Sequence, residues 1–286
     1  MPSPSRIRSL LFAPAVRPDL VRKGPGTGAD AIVIDLEDAT PPNAKADARV
    51  KLRELVAELS DTAAVFARIN DSSTPWYSDD LEALPRGLTG VVVPKIETIT
   101  GLERLLGDLE ALDIGAITVI GGVETALGVA DARLLLDHPV IDAAYFGAED
   151  FIADMGGVRT SDNAEVNYAR AQVVLAARLA DTPVIDQIVA DFRDDDRFRR
   201  ECLEARAFGY SGKLCIHPAQ VTIANEAFTP SVDEIDRARR LLAAYERAVE
   251  SGVASIAFEG QMVDEPVAIQ ARRIIALAGD SGEPNT

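Results

Sequence analysis

Ala116-Ile117-Thr118-Val119-Ile120-Gly121-Gly122-Val123-Glu124-Thr125 is an apolar run, rich in β-branched residues, that closes on an acid. A helix-like stretch follows, and Asp142-Ala143-Ala144-Tyr145-Phe146-Gly147-Ala148-Glu149-Asp150 then repeats the pattern. Near-continuous apolar strands are the habit of parallel sheets, which are covered on both faces. Parallel neighbours need a crossover connection, usually a helix, so the segment reads as one strand–helix–strand unit.

The same unit recurs on either side. Runs at Arg8–Pro14, Ala31–Asp38, Ala64–Asn70 and Gly90–Ile96 precede it, and Thr182–Val189 and Gly212–Pro218 follow. The ends of these eight runs lie about 29 residues apart on average, the length of a strand and its return helix. Eight such units predict an α/β fold, a closed (β/α)8 TIM barrel; an open doubly wound sheet is the alternative. Between the runs, Ala44–Leu59 and Glu165–Ala180 carry apolar residues at helical spacing. Beyond Pro218 the character changes. Pro230–Glu250 reads as a helix opened by Ser231, Gly252–Gln261 as a loop or short strand, and a last amphipathic helix runs to about Ala278 before a polar tail. Residues 1–229 are therefore expected to form the barrel, and 230–286 a C-terminal helical extension.

The composition excludes several classes of function. With 29 basic and 46 acidic side chains the net charge is −17, which repels nucleic-acid phosphates and anionic membranes alike. A spanning helix needs about 20 apolar residues, and the best stretch, Val173–Ala180, is broken by Arg178. Met1–Arg6 leads directly into the first run rather than into a long apolar stretch, so no targeting segment is expected. Cys202 and Cys215 lack CxxC spacing, so a reducing, cytoplasmic compartment is expected.

In a barrel of this kind the reacting groups sit where strands hand over to loops. Those positions are Asp35, Glu37 and Asp38; Arg68 and Asn70; Lys95; Glu124; Glu149 and Asp150; Asp186; and His217. So many carboxylates converging on one mouth would repel each other unless a positive charge intervenes. A hard divalent cation, Mg2+ or Mn2+, suits oxygen ligands, and Glu124 and Asp150 end neighbouring strands. The alternative, a ring of salt bridges with Arg68 and Lys95, leaves acids unpaired once both cations are used. Arg68 is the one arginine among these positions, and its planar fork suits a carboxylate or a developing oxyanion. A structural pairing with Glu37 fits its spacing nearly as well.

Other signals are bland. Gly24-Pro25-Gly26-Thr27-Gly28 precedes a strand, whereas phosphate-binding loops follow one, so it reads as a connector. His138 has no second histidine nearby, His217 suits local hydrogen bonding, and the lone Trp76 reads as a packing residue.

At this point the motifs become recognisable as a set. Arg8–Pro14 (RSLLFAP), Asp35–Ala39 (DLEDA), Arg68–Asn70 (RIN), Val93–Lys95 (VPK) and Glu124–Ala126 (ETA) resemble the citrate lyase β-subunit-like family. Gly147–Asp150 (GAED), Gly212–Pro218 (GKLCIHP) and Met262–Pro266 (MVDEP) extend the resemblance over residues 6–278. That family includes malyl-CoA and citramalyl-CoA lyases and malate-synthase-like enzymes. The resemblance implies reversible cleavage of a β-hydroxyacyl-CoA thioester into an acyl-CoA and an α-keto acid. It implies Mg2+ on Glu124 and Asp150, substrate contacts from Arg68 and Glu124, and catalytic roles for Arg68 and Asp264, with Glu37 and Asp38 ordering water at the metal. It further implies trimers or hexamers in which the extension closes over a neighbouring subunit's site, bringing Asp264 to it. Ala15 departs from the family's usual glycine after the first strand, and the connector Lys23–Asp30 is unusually rich in glycine. Coenzyme A would enter as part of the substrate; Arg17, Arg22 and Lys23 are candidates for its phosphates, with surface solvation the default.

Two rival functions share these features. A glycosidase also pairs carboxylates at strand ends, but sugar platforms are aromatic and this chain has one tryptophan. A non-catalytic or carrier-dependent β subunit of a multi-subunit citrate lyase would show no activity alone, and Asp264 argues against it.

Overall fold

A computed structural model of the chain describes residues 6–112 and 117–279. Ala116, the N-terminal residues 1–5 and the tail from residue 280 lie outside the described residues. Eight parallel strands close into a barrel in sequence order: β1 (Ser9–Pro14), β2 (Ala31–Asp35), β3 (Val65–Arg68), β4 (Gly90–Val93), β5 (Thr118–Val123), β6 (Ala143–Phe146), β7 (Val184–Asp186) and β8 (Gly212–Cys215). Closure is direct, because β1 pairs with β2 on one side and with β8 on the other. The doubly wound alternative is excluded.

Alternation along each strand decides what the barrel contains. Leu10, Val33, Phe66, Val92, Ile120, Tyr145, Ile185 and Leu214 pack together in the interior. Their neighbours in sequence face the helices and join the larger core of the helical layer. Continuing the inward alternation by two places puts Asp35 above Val33 and Arg68 above Phe66. Glu124 likewise stands four residues beyond Ile120, past an inward Gly122. Hence the polar ends of β2, β3 and β5 belong to the mouth.

Asp186 does not. Its neighbour Ile185 points inward, so Asp186 points outward, where it is fully buried under the helices. Arg170, on the helix Asn167–Ala180, donates from Nε and Nη2 at 3.0 and 2.9 Å, and Lys213 on β8 reaches it at 2.5 Å. Glu201 lies 3.4 Å from the same ammonium. The expectation that Asp186 lines the mouth is corrected: one residue of phase turned it into the anchor of a buried ion cluster. Glu149 and Asp150 need a second correction, since β6 stops at Phe146 and both sit in the first turn of the helix Ala148–Met155.

Compactness divides the chain into two units, one ending at Phe228 and the other beginning at Thr229. The second contains the helix Val232–Glu250, a hairpin of β9 (Ile256–Phe258) and β10 (Gln261–Val263), and the helix Glu265–Gly279. Ser231 and Glu234 form a reciprocal capping box at its start. Leu241, Leu242, Tyr245, Val263 and Ala268 supply its own small core. Among the described residues no helix is long and apolar enough to cross a membrane.

Removing one partner from a buried ion cluster leaves uncompensated charge. Asp186→Ala, which strands Arg170 and Lys213, is expected to lower the unfolding free energy by about 3–5 kcal/mol, read from urea denaturation, without altering the activity of each folded molecule.

Candidate active site

Past β2 the chain turns back on itself, with Asp35 Oδ1 accepting from the Glu37 amide at 2.8 Å. That turn brings the Glu37 carboxylate over the mouth beside Asp35. Arg68 rises from β3 and donates from Nε to Asp35 Oδ1 at 2.8 Å and from Nη2 to Oδ2 at 2.5 Å. Its Nη1 lies 3.0 Å from Glu37 Oε2, and the guanidinium rests 5.2 Å from the Phe12 ring centre. Burial works against this charge, and Asp35 and Glu37 more than offset it. The pairing with Glu37 that spacing allowed is present, yet Asp35 is the stronger partner. Two of Arg68's five N–H groups go to Asp35, which leaves donors for a ligand.

Lys95 follows β4 with φ of 50°, a left-handed backbone that a lysine adopts only when its surroundings require it. The requirement is visible. Its amide donates to Glu124 Oε1 at 2.9 Å, while its ammonium lies 2.7 Å from Glu37 Oε1 and 3.2 Å from Asp150 Oδ1. Burial opposes the ammonium's charge; Glu37 first, then Glu124 and Asp150, hold it on.

Glu124 is the most buried acid of the mouth, 1% exposed. The Tyr145 hydroxyl donates to its Oε1 at 3.0 Å, from the inward side of β6. Oε2 takes no hydrogen bond from any described residue, and it occupies the space where position 147 has no side chain: a Cβ there would stand 2.2 Å from it. Burial, followed by the charges of Glu37 and Asp150, raises the Glu124 carboxyl from 4.5 to about 7, against the pull of Lys95 and Arg68. Glu37 is raised too, by burial before all else.

A cavity of about 470 Å3 opens over these groups, lined by Phe12, Asp35, Arg68, Glu124, Gly147 and Ile216 among others. Asp38 is exposed at its rim. Asn70 is buried behind the mouth, and His217 caps the helix Pro218–Ala227 through Nδ1 and stacks on Phe192. Asp264 belongs to the second unit, between β10 and the helix Glu265–Gly279, and no described residue donates a hydrogen bond to its carboxylate. The sequence assigns no site role to Tyr145 or Gly147, although Tyr145 lies on the inward phase of β6 and Gly147 two places beyond it.

Among the described residues Asp35, Glu37 and Asp150 pair with Arg68 and Lys95 alone and Glu124 has no ion-pair partner, so the mouth holds more anionic than cationic groups. Among the described residues no three His, Cys, Asp or Glu side chains gather tightly enough to enclose a metal. Two carboxylates, Glu124 with a vacant Oε2 and Asp150 on a helix's first turn, are the usual protein share for Mg2+, which keeps its other positions for water and substrate. The donor set fits.

A carboxyl whose native pKa is raised stabilises the fold below its unfolded value and loses that contribution as pH climbs through the native value. In metal-free protein the Glu124 contribution is therefore complete below pH 4.5 and gone above about 7. Wild type is expected to lose on the order of 3 kcal/mol relative to Glu124→Gln between pH 4.5 and 8 in urea titrations; parallel curves would show that Glu124 ionises as it does in water.

Residues 8–218 match the family HpcH/HpaI aldolase/citrate lyase. A citrate lyase subunit beta-like protein from Deinococcus radiodurans is 44% identical over 279 residues, spanning 96% of this chain and 98% of that one. The mitochondrial citramalyl-CoA lyase of Mus musculus is 31% identical over 290 residues, 95% of this chain and 86% of that one. Among solved structures, protein CitE from Mycobacterium tuberculosis in complex with magnesium, acetoacetate and coenzyme A superposes with a TM-score of 0.80 at 32% identity, covering 97% of this chain and all of that one. With three-quarters of its length inside the family match and full-length relatives above 30% identity, the chain belongs to the HpcH/HpaI aldolase/citrate lyase family of enzymes.

Proposed function

We propose that the chain is a magnesium-dependent carbon–carbon lyase, or the reverse condensing enzyme, acting on a β-hydroxyacyl-CoA thioester to give an acyl-CoA and an α-keto acid. The observation that carries this reading is the surplus of buried carboxylates around Glu124 at the barrel mouth. A similar fold binding magnesium, acetoacetate and coenzyme A supports it.

Glu124 and Asp150 would hold the cation. When bound, Mg2+ would supply Lewis acidity toward the carboxylate and hydroxyl oxygens of the substrate. Arg68, its fork already oriented by Asp35 and Glu37, donates to the same hydroxyl oxygen as negative charge develops on it. Glu37 keeps Arg68 and Lys95 in place, and Asp38 at the rim orders the water that takes the hydroxyl proton. The electron pair of the breaking C–C bond then passes to the thioester. Asp264, supplied in its acid form by a neighbouring copy in a trimer or hexamer, donates its proton to the α-carbon, completes the acyl-CoA and is reprotonated from solvent. Residues 230–286 act in this reading as a lid on the neighbour.

The test is a panel of malyl-, citramalyl- and citryl-CoA assayed for keto-acid release with and without Mg2+. Release from at least one substrate, abolished by chelation and by Glu124→Gln, is expected; release unaffected by chelation would overturn the metal assignment. Arg68→Ala is expected to lower kcat by about 10²–10³. Asp264→Asn should retain Mg2+ affinity but lose turnover, and mixing it with Glu124→Gln should recover part of the activity through hybrid sites. Strict additivity of the two inactive proteins would place each site within one chain.

A further inference from the structure

Behind the mouth lies a third cation. Lys45 opens the helix Lys45–Leu59 and is 5% exposed. Its ammonium donates to the Leu36 carbonyl at 2.8 Å, the Glu37 carbonyl at 2.9 Å and Asn70 Oδ1 at 2.7 Å, which uses all three protons. The ring of Trp76 stands 4.8 Å away. Its direct partners are thus two carbonyls, an amide oxygen and an indole face, and none carries a charge.

A buried ammonium without a contacting anion is costly and calls for a reason. Part of the reason is local. β2 ends at Asp35 and its ladder to β3 ends with Arg68, so the Leu36 carbonyl lies beyond the sheet and needs donors, while the Glu37 carbonyl already accepts from the Thr40 amide at 2.9 Å and gains a second bond from Lys45. Neutral donors would serve that need. A full charge does more, because burial pulls the Lys45 ammonium toward neutrality while Asp80, Asp35, Glu37 and Asp38 draw it back. Three of those four acids close β2 at the mouth.

Asn70 completes the brace. Its amide and Nδ2 both donate to Asp80 Oδ2, at 2.8 and 2.5 Å, and Nδ2 also donates to the Leu36 carbonyl at 3.0 Å. Arg49, one turn after Lys45 on the same helix, donates to Asp80 Oδ1 at 2.7 Å. One helix face therefore grips the ends of β2 and β3 together. Beyond that grip, the Glu37 carboxylate reaches Lys95 at 2.7 Å and Arg68 at 3.0 Å.

We infer that Lys45 is a positioning residue: it fixes the Glu37 segment, and through Glu37 the Arg68 guanidinium that meets the keto acid, while its charge offsets the acids of the mouth. The inference rests on the reading of Arg68 in the proposed reaction. It makes no direct claim on the cation, since Lys45 touches neither Glu124 nor Asp150.

The test uses the full chain with Lys45→Arg, Lys45→Gln and Lys45→Met, which remove in turn neither charge nor donors, the charge, and both. Calorimetry gives the Kd for pyruvate at saturating Mg2+ and, separately, the Kd for Mg2+ alone; turnover gives kcat and the thioester KM. Lys45→Met is expected to weaken pyruvate and lower kcat by about 10–100-fold, with Lys45→Gln intermediate and Lys45→Arg recovering most of the loss. Mg2+ affinity and thioester KM should stay within about threefold of wild type, because a displaced guanidinium spoils neither. If Lys45→Met fails to fold, Lys45→Gln supplies the same contrast. Unchanged pyruvate affinity and kcat in Lys45→Gln and Lys45→Met would overturn the inference. So would a parallel loss of Mg2+ affinity and KM, the mark of a brace that merely holds the fold. A wild-type chain that binds pyruvate yet cleaves no thioester would refute the lyase reading, and the binding series would still decide the role of Lys45.

Discussion

Glu37 is the hinge of the electrostatic design, for it holds both cations of the mouth at once. Its two oxygens meet Lys95 at 2.7 Å and Arg68 at 3.0 Å. Without it, Lys95 would turn wholly to Asp150 and Arg68 wholly to Asp35, and the acids around Glu124 would lose their shared counter-charge. Burial would favour protonating Glu37, and its two partners resist that. The arrangement keeps the acids close while leaving Glu124 Oε2 without a donor among the described residues. In a low-dielectric pocket such an imbalance is worth far more than on a surface.

Most of this architecture was legible because a parallel strand leaves few choices. The spacing of eight apolar runs, the return helices between them and the acids closing them fix the barrel and the end that works. Glu124, Arg68, Asp35 and Lys95 could be named from their places after the runs. The change of character read after Pro218 comes before the helix Pro218–Ala227, which still belongs to the first unit; the second begins at Thr229.

What was not legible depended on phase and on reach. Asp186 ends a run as Asp35 does, but β7 is three residues long and its inward member is Ile185, which sends the acid to the helices. Glu149 and Asp150 follow a run that bends into a helix before they arrive, so their direction comes from the helix start rather than the strand. Lys45 and Trp76 lie outside the motifs they adjoin; long side chains crossing between elements leave no periodic signature. Gly147 has meaning only against Glu124, since absence of a side chain becomes informative once its neighbour is known.

The left-handed turn at Lys95 has a consequence for how the protein tolerates change. Glycine would relax that turn at once, yet would forfeit the ammonium that joins Glu37 to Asp150. Backbone ease and electrostatic balance pull opposite ways at this one position. A descendant that drifted to glycine there would gain an unstrained backbone and leave Glu37 and Asp150 facing each other without the charge between them.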